Sequence, residues 1–142
     1  MPEGALDLLT WTAIVVGASA SAAALWGYYG VLPGWLTGPE VCQLEDGGCA
    51  VLFRTSRAAL LGVPNASLGI LLYVLLAIGM IAGWPAWLLA VMVVPAVAMS
   101  TFLAWSLLSR GLQCRICWAG HIANYSLGAL MLMRLFVLTA AA

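Results

Sequence analysis

The sequence predicts an all-α integral membrane protein: a four-helix bundle with a capping loop and a short interfacial helix. Three observations predict it. The 142 residues are 65% hydrophobic and only 7% charged, with a mean hydropathy of +1.09. A soluble domain of this length cannot hide that much apolar surface from water. The apolar residues also fall into four runs, 10–32, 67–83, 86–109 and 116–140, each near the ~20 residues that cross a ~30 Å hydrocarbon core. None of these runs contains an acidic residue, and only Arg134 in the last carries a firm charge.

The first run lacks a basic leader and a clear cleavage site and ends in bulky residues, so it reads as a retained span rather than a signal peptide. Its small residues, Gly17 to Ala22, let neighbouring helices approach closely in lipid. The loop 33–66 follows. Pro33-Gly34 and Gly38-Pro39 break the chain, and Glu40, Glu45, Asp46, Gly47 and Gly48 make its centre polar and pliant. Thr55 to Leu61 reads as a short helix, capped by Thr55 or Ser56 and stopped by Gly62 and Pro64. Its apolar face can rest on the bundle or the membrane as a lid, or the segment can be a plain connecting helix.

The second span, 67–83, turns at Gly83-Trp84-Pro85 into the third, 86–109. There Pro95 removes a helical hydrogen bond and should kink the helix. Residues 110–115 lead into the fourth. Trp11, Trp35, Trp84, Trp87, Trp105 and Trp118 fall near span ends, where amphipathic rings favour the interface. Trp26 lies inside a span and is expected to fill a gap between helices. Counting spans puts 33–66 and 110–115 on one face, so all four cysteines share it. With no internal repeat or linker, the chain reads as one domain, 1–142.

Those cysteines carry the chemistry. Cys42 and Cys49 lie in the polar loop, and Cys114 and Cys117 form a C-x-x-C at the start of the fourth helix. Unpaired N–H groups and the dipole at a helix N-terminus favour a thiolate, and Arg110 and Arg115 should add to that. Cys114 is expected to be the accessible, more nucleophilic thiol. Cys117 sits one turn deeper, where it can close a disulfide with Cys114 or meet something dissolved in the bilayer.

A mobile Cys42/Cys49 loop can bring a thiol to Cys114, as exchange through mixed disulfides requires. A relay from a soluble dithiol through the two pairs to a lipid-dissolved acceptor is chemically coherent. Two plainer readings compete. A Cys42–Cys49 staple would contribute about 2.5 kcal/mol by loop entropy, which a bundled membrane domain hardly needs. A Cys₄ zinc site usually keeps two to four residues between paired ligands, whereas six separate Cys42 from Cys49.

His121, the only histidine, shares a helical face with Cys117. Polar groups inside spans are costly enough to signal function, so His121 reads as a donor to a carbonyl ligand; a histidine satisfied by a neighbouring helix or by interfacial water is the alternative. Asn65 and Asn124 are further candidates, set against roles as an N-cap and in interhelical packing.

With these residues in view, the chain resembles the vitamin K epoxide reductase family in its compact bacterial and archaeal form. The matching features are the Cys42/Cys49 loop, Thr55-Ser56 and the Gly62-Val63-Pro64-Asn65-Ala66-Ser67-Leu68-Gly69 stretch leading to Tyr73. Cys114-Arg115-Ile116-Cys117-Trp118 follows, with His121 and Asn124 behind it. The resemblance implies a four-helix bundle around a quinone of the ubiquinone or menaquinone type. It implies that Cys117 faces the quinone, and that Cys114 exchanges with a loop cysteine, Cys49 foremost. Cys42 then takes electrons from a thioredoxin-like protein, and Asn65 and His121 hold the quinone oxygens. Animal relatives carry a tyrosine where His121 stands, and that departure favours ordinary quinone reduction over epoxide reduction. No thioredoxin-like domain is fused, so the redox partner is expected to be separate.

Arg54, Arg57, Arg110 and Arg115 lie on the cysteine face and Arg134 near the other; there is no lysine. The positive-inside tendency therefore puts the cysteines in the cytoplasm, while the resemblance implies the outer face, where disulfides persist. The function read from the chain is a multi-pass cell-membrane oxidoreductase that takes electrons from a thioredoxin-like protein and reduces a membrane quinone, supporting disulfide formation. The alternative is a small transporter carrying a soft metal ion on paired thiolates. The sequence lacks a carboxylate pair, a phosphate-cradling glycine loop and a basic patch for nucleic acid, which sets those classes aside. No resident metal is expected.

Overall fold

The computed structural model describes residues 3–30, 59–60, 62–110 and 114–141. Cys42, Cys49, Trp35, Arg54, Arg57 and most of the expected short helix lie outside these residues. Within them the chain is an all-α bundle. Its helices are α1 (Glu3–Tyr29), α2 (Asn65–Ile81), α3 (Ala86–Ser109) and α4 (Arg115–Ala141). A small hairpin, β1 (Ala59–Leu60) and β2 (Val63–Pro64), precedes α2.

Three helices are long and apolar enough to cross a membrane: α1, α3 and α4. The 17 residues of α2 rise about 25 Å at 1.5 Å each, at the short end of the spanning range. The outward faces are hydrocarbon, with Val91, Val94, Phe102 and Trp105 among the exposed side chains.

Two boundaries depart from expectation. The helix expected over 55–61 does not reach through Ala59–Leu60, which instead pair antiparallel with Val63–Pro64, Ala59 opposite Pro64 and Leu60 opposite Val63. Gly62 at φ 81° reverses the chain in a conformation other residues resist, and Pro64 holds Val63 extended. The first helix begins at Glu3 rather than Thr10. The earlier start is compatible with an apolar setting because Asp7 pairs with Arg134 of α4, beside Thr10.

That shift exchanges the roles of two tryptophans. Trp11 lies more than two turns inside α1 and packs against the core. Trp26, expected between helices, is 55% exposed in the last turn of α1, at the height where an interfacial ring is favoured.

The small residues of the first span do what their size allows. A Cβ on Gly17 would overlap the Tyr73 ring, and one on Gly69 would come within 2.6 Å of the Ser21 hydroxyl, so α1 and α2 meet backbone to side chain. α4 packs on α1 and on α3, whereas the consecutive α2 and α3 touch sparsely. One core fills the end near the Gly83 turn, built from Leu6, Ile14, Leu76, Leu89, Leu127 and Met131. α3 runs unbroken through Pro95.

Candidate functional site

At the opposite end, the residue just before α4 is Cys114. The backbone N–H of Cys117 donates to its Sγ at 3.3 Å, and its own carbonyl accepts from Trp118 N–H at 3.0 Å. The open N–H groups of a helix start therefore converge on this sulfur, as the C-x-x-C spacing requires. The Cys114 thiol is held below its ordinary pKa. The largest cause is the hydrogen bond from the Cys117 side chain, assisted by the backbone N–H groups of Cys117 and Ile116 and opposed by burial. Hydrogen bonding does this, not the expected charges of Arg110 and Arg115.

A second expectation fails here. Cys114 is 0% exposed, packed with Ile116 against Ala20, Ala23, Ala24 and Tyr28 of α1. Small α1 residues let that helix pack closely against the sulfur, an effect invisible from the spacing of the motif. Both Cys114 and Cys117 are free thiols.

Cys117, one turn further, forms part of the wall of a cavity of about 350 Å³ bounded by all four helices. That volume suits a drug-sized ring. The wall is mostly aliphatic, with a short series of polar groups. Asn65 is the first residue of α2 and lines the cavity. Pro64, not Asn65, occupies the N-cap position and makes no side-chain cap bond, so the capping alternative for Asn65 falls away. His121 is 6% exposed and also lines the cavity. Its Nε2 is buried without a hydrogen-bond partner among the described residues, and the Trp118 ring stands edge-on to it at 5.9 Å. Satisfaction by a neighbouring helix, one of the two plainer readings of this histidine, is absent at Nε2 among the described residues.

Asn124 joins three helices. The Tyr73 hydroxyl of α2 donates to its Oδ1 at 2.6 Å, and its Nδ2 donates to Ser100 Oγ of α3 at 2.7 Å. The packing role foreseen for Asn124 is thus present, and all three residues also line the cavity. Sequence reading named Tyr73 only as the end of a motif and passed over Ser100. The available signal was a hydroxyl in an otherwise apolar run, which is costly unless it has a use.

The structure therefore brings Cys117, Asn65, His121 and Asn124 around one cavity and sets Cys114 against its rim. The approach of Cys42 and Cys49 lies outside the described residues. A buried histidine with an open nitrogen, a thiol and an aliphatic wall fit a flat apolar ring bearing carbonyl oxygens, such as a quinone. Compared with known proteins, the chain matches a family model, the vitamin K epoxide reductase family, over residues 8–132. No curated protein and no solved structure gives a match.

Proposed function

The chain belongs to the vitamin K epoxide reductase family, a family of quinone-linked membrane thiol oxidoreductases, and on that premise we propose that it oxidises a thioredoxin-like protein and reduces a membrane quinone. It does so as one domain of four spans. Electrons enter at Cys42/Cys49, pass by thiol–disulfide exchange to Cys114, and leave from Cys117. The quinone, of the ubiquinone or menaquinone type, is substrate. Turning a dithiol into a disulfide releases two electrons and two protons, the number that converts a quinone to a quinol.

The observation that supports this most is that Cys117 and His121 share the wall of an apolar cavity while Cys114 lies just outside it. Each cysteine then has its own task. Cys114, with its pKa lowered, is the thiolate that attacks or leaves during exchange with the loop. Cys117 delivers the electrons inside a mostly apolar cavity. Asn65 and His121 orient the ring and favour charge building on its oxygens.

Both cysteine pairs lie on one face in this reading. Arg110 and Arg115 are exposed at that end, whereas Arg134 at the other is paired with Asp7. The charge asymmetry turns the cysteine face towards the cytoplasm.

The test is quinone absorbance during incubation of detergent-solubilised protein with a dithiol and a short-chain quinone. Cys117→Ala is expected to lose turnover by about 10³-fold or more, as removal of an essential reacting group does. Cys42→Ala is expected to lose activity only when the dithiol is a protein. Full turnover in Cys117→Ala, or none in folded wild type with either quinone type, overturns the proposal.

A further inference from the structure

Cys114 is fully buried, yet thiol–disulfide exchange requires that its sulfur be reached. The cluster of Ala20, Cys114 and Ile116 is packed by Ala23, Ala24 and Tyr28, together with Cys117 and Ala119 of α4 itself. Among the described residues, every apolar neighbour from outside α4 therefore belongs to α1. Ala20, Ala24 and Tyr28 recur every four residues and form one stripe, with Ala23 beside it. Three of these four are alanine, whose methyl has no rotamer to change. Tyr28 alone can leave by rotating about its own side-chain bonds.

Its place in the helix suits such a movement. Tyr28 lies in the last turn of α1, next to the final residue Tyr29. The two rings meet edge-on with centroids 4.9 Å apart, and Tyr29 is exposed. Tyr28 also lines the cavity together with Cys117. One half-buried ring thus joins an exposed neighbour to the cysteine cluster and the cavity wall.

Such a ring separates two sorts of reaction partner. The Cys114 thiol is held below its ordinary pKa, and an accessible thiolate of that kind exchanges readily with soluble disulfides and reacts with soluble electrophiles. A soluble protein must arrive by diffusion while the ring stands aside. A cysteine on the same chain is always at hand, because tethering converts the encounter into an intramolecular one.

We infer that Tyr28 is a specificity-determining residue whose ring screens Cys114 from soluble reagents and reserves that sulfur for a cysteine of the same chain. The inference rests on the exchange step of the proposed function and names the residue that keeps this step internal.

The test follows alkylation of Cys114 in reduced, detergent-solubilised Cys42→Ala/Cys49→Ala protein, where Cys114 and Cys117 are the thiols left. N-ethylmaleimide is added over a range of pH, and each site is read by peptide mass spectrometry. Adding Tyr28→Ala is expected to raise the Cys114 rate about tenfold or more, the scale of a lost local protection. The midpoint of the pH profile should stay in place, because access changes while the thiolate fraction does not. Tyr28→Phe, which keeps the ring, is expected to stay within about twofold of the parent. Tyr28→Leu, expected to raise the rate in the same direction, stands in should the alanine variant not fold. An unchanged rate, a rise that comes with a displaced midpoint, or a parent Cys114 that reacts as fast as in the unfolded chain overturns the screen. Each of these leaves the quinone reading intact; that reading fails separately if folded wild type reduces no quinone.

Discussion

The two ends of the bundle are built from the same four helices yet are solid at one end and hollow at the other. Near the Gly83 turn, Leu6, Ile14, Leu76, Leu89, Leu127 and Met131 fill the space between helices. Near Cys114 and Cys117, Ala20, Ala24, Ala66, Gly69, Ala96 and Gly120 form part of the lining. The side chains that meet at the two ends differ in size. Where large aliphatic side chains meet, they reach the density of a protein interior. Where alanine and glycine stand in the wall beside larger residues such as Leu68, Leu103 and Ile116, a cavity remains. The solid end holds the helices together, and in the proposed function the hollow end receives the quinone.

Adding volume at the hollow end tests this contrast most severely. A Cβ at Gly120 meets only the Ala20 Cβ, at 3.9 Å, so Gly120→Leu can be accommodated by extending into the cavity. Quinone-coupled turnover is expected to fall by about tenfold or more, because a displaced ring loses its attack geometry. The melting temperature in detergent should hold or rise, since leaving glycine favours the helix by about 1 kcal/mol. Unchanged turnover in this variant would break the comparison.

Removing volume at the solid end should do the reverse. Leu76 is completely buried, and Leu76→Ala is expected to cost about 2–5 kcal/mol, measured by denaturation in detergent. Turnover per folded molecule should stay near wild type. A large loss of turnover without loss of stability would show that the two ends are not separable.

The smallest expected effect sharpens the chemistry at the hollow end. The Cys114 pKa is depressed chiefly by the Cys117 side chain. Its thiolate should therefore form at a lower pH than the ordinary midpoint of about 8.5. In Cys117→Ala the midpoint, followed by ultraviolet thiolate absorbance, is expected to move up, so that less thiolate is present at neutral pH. Cys117→Ser, which keeps a hydroxyl donor, should move it less. A midpoint indifferent to both changes would assign the depression to something other than this hydrogen bond.

Much of this was legible before any coordinates. The runs 86–109 and 116–140 coincide with α3 and α4 within a residue, because long apolar stretches between breakers leave the backbone only a helix in lipid. His121 was singled out because a polar group inside a span is expensive, and Asn65 through the family resemblance; both line the cavity. The early start of α1 was hidden. Asp7 reads as a residue outside the membrane until Arg134, far along the chain, is placed beside it. The exchange of roles between Trp11 and Trp26 follows from that one displacement.

The sequence by itself determined the fold class, the place of the C-x-x-C at a helix start and the residue types available for redox chemistry. Hydropathy, chain breakers and motif spacing are local quantities, and they suffice for that. Only the tertiary structure decided that Cys114 packs against α1 while Cys117 meets the cavity. It also joined Tyr73, Asn124 and Ser100 into one hydrogen-bonded line and hollowed one end of the bundle. Each of these depends on which side chains from distant segments meet and on the volume left between them, a property of pairs of surfaces that no single stretch of chain contains.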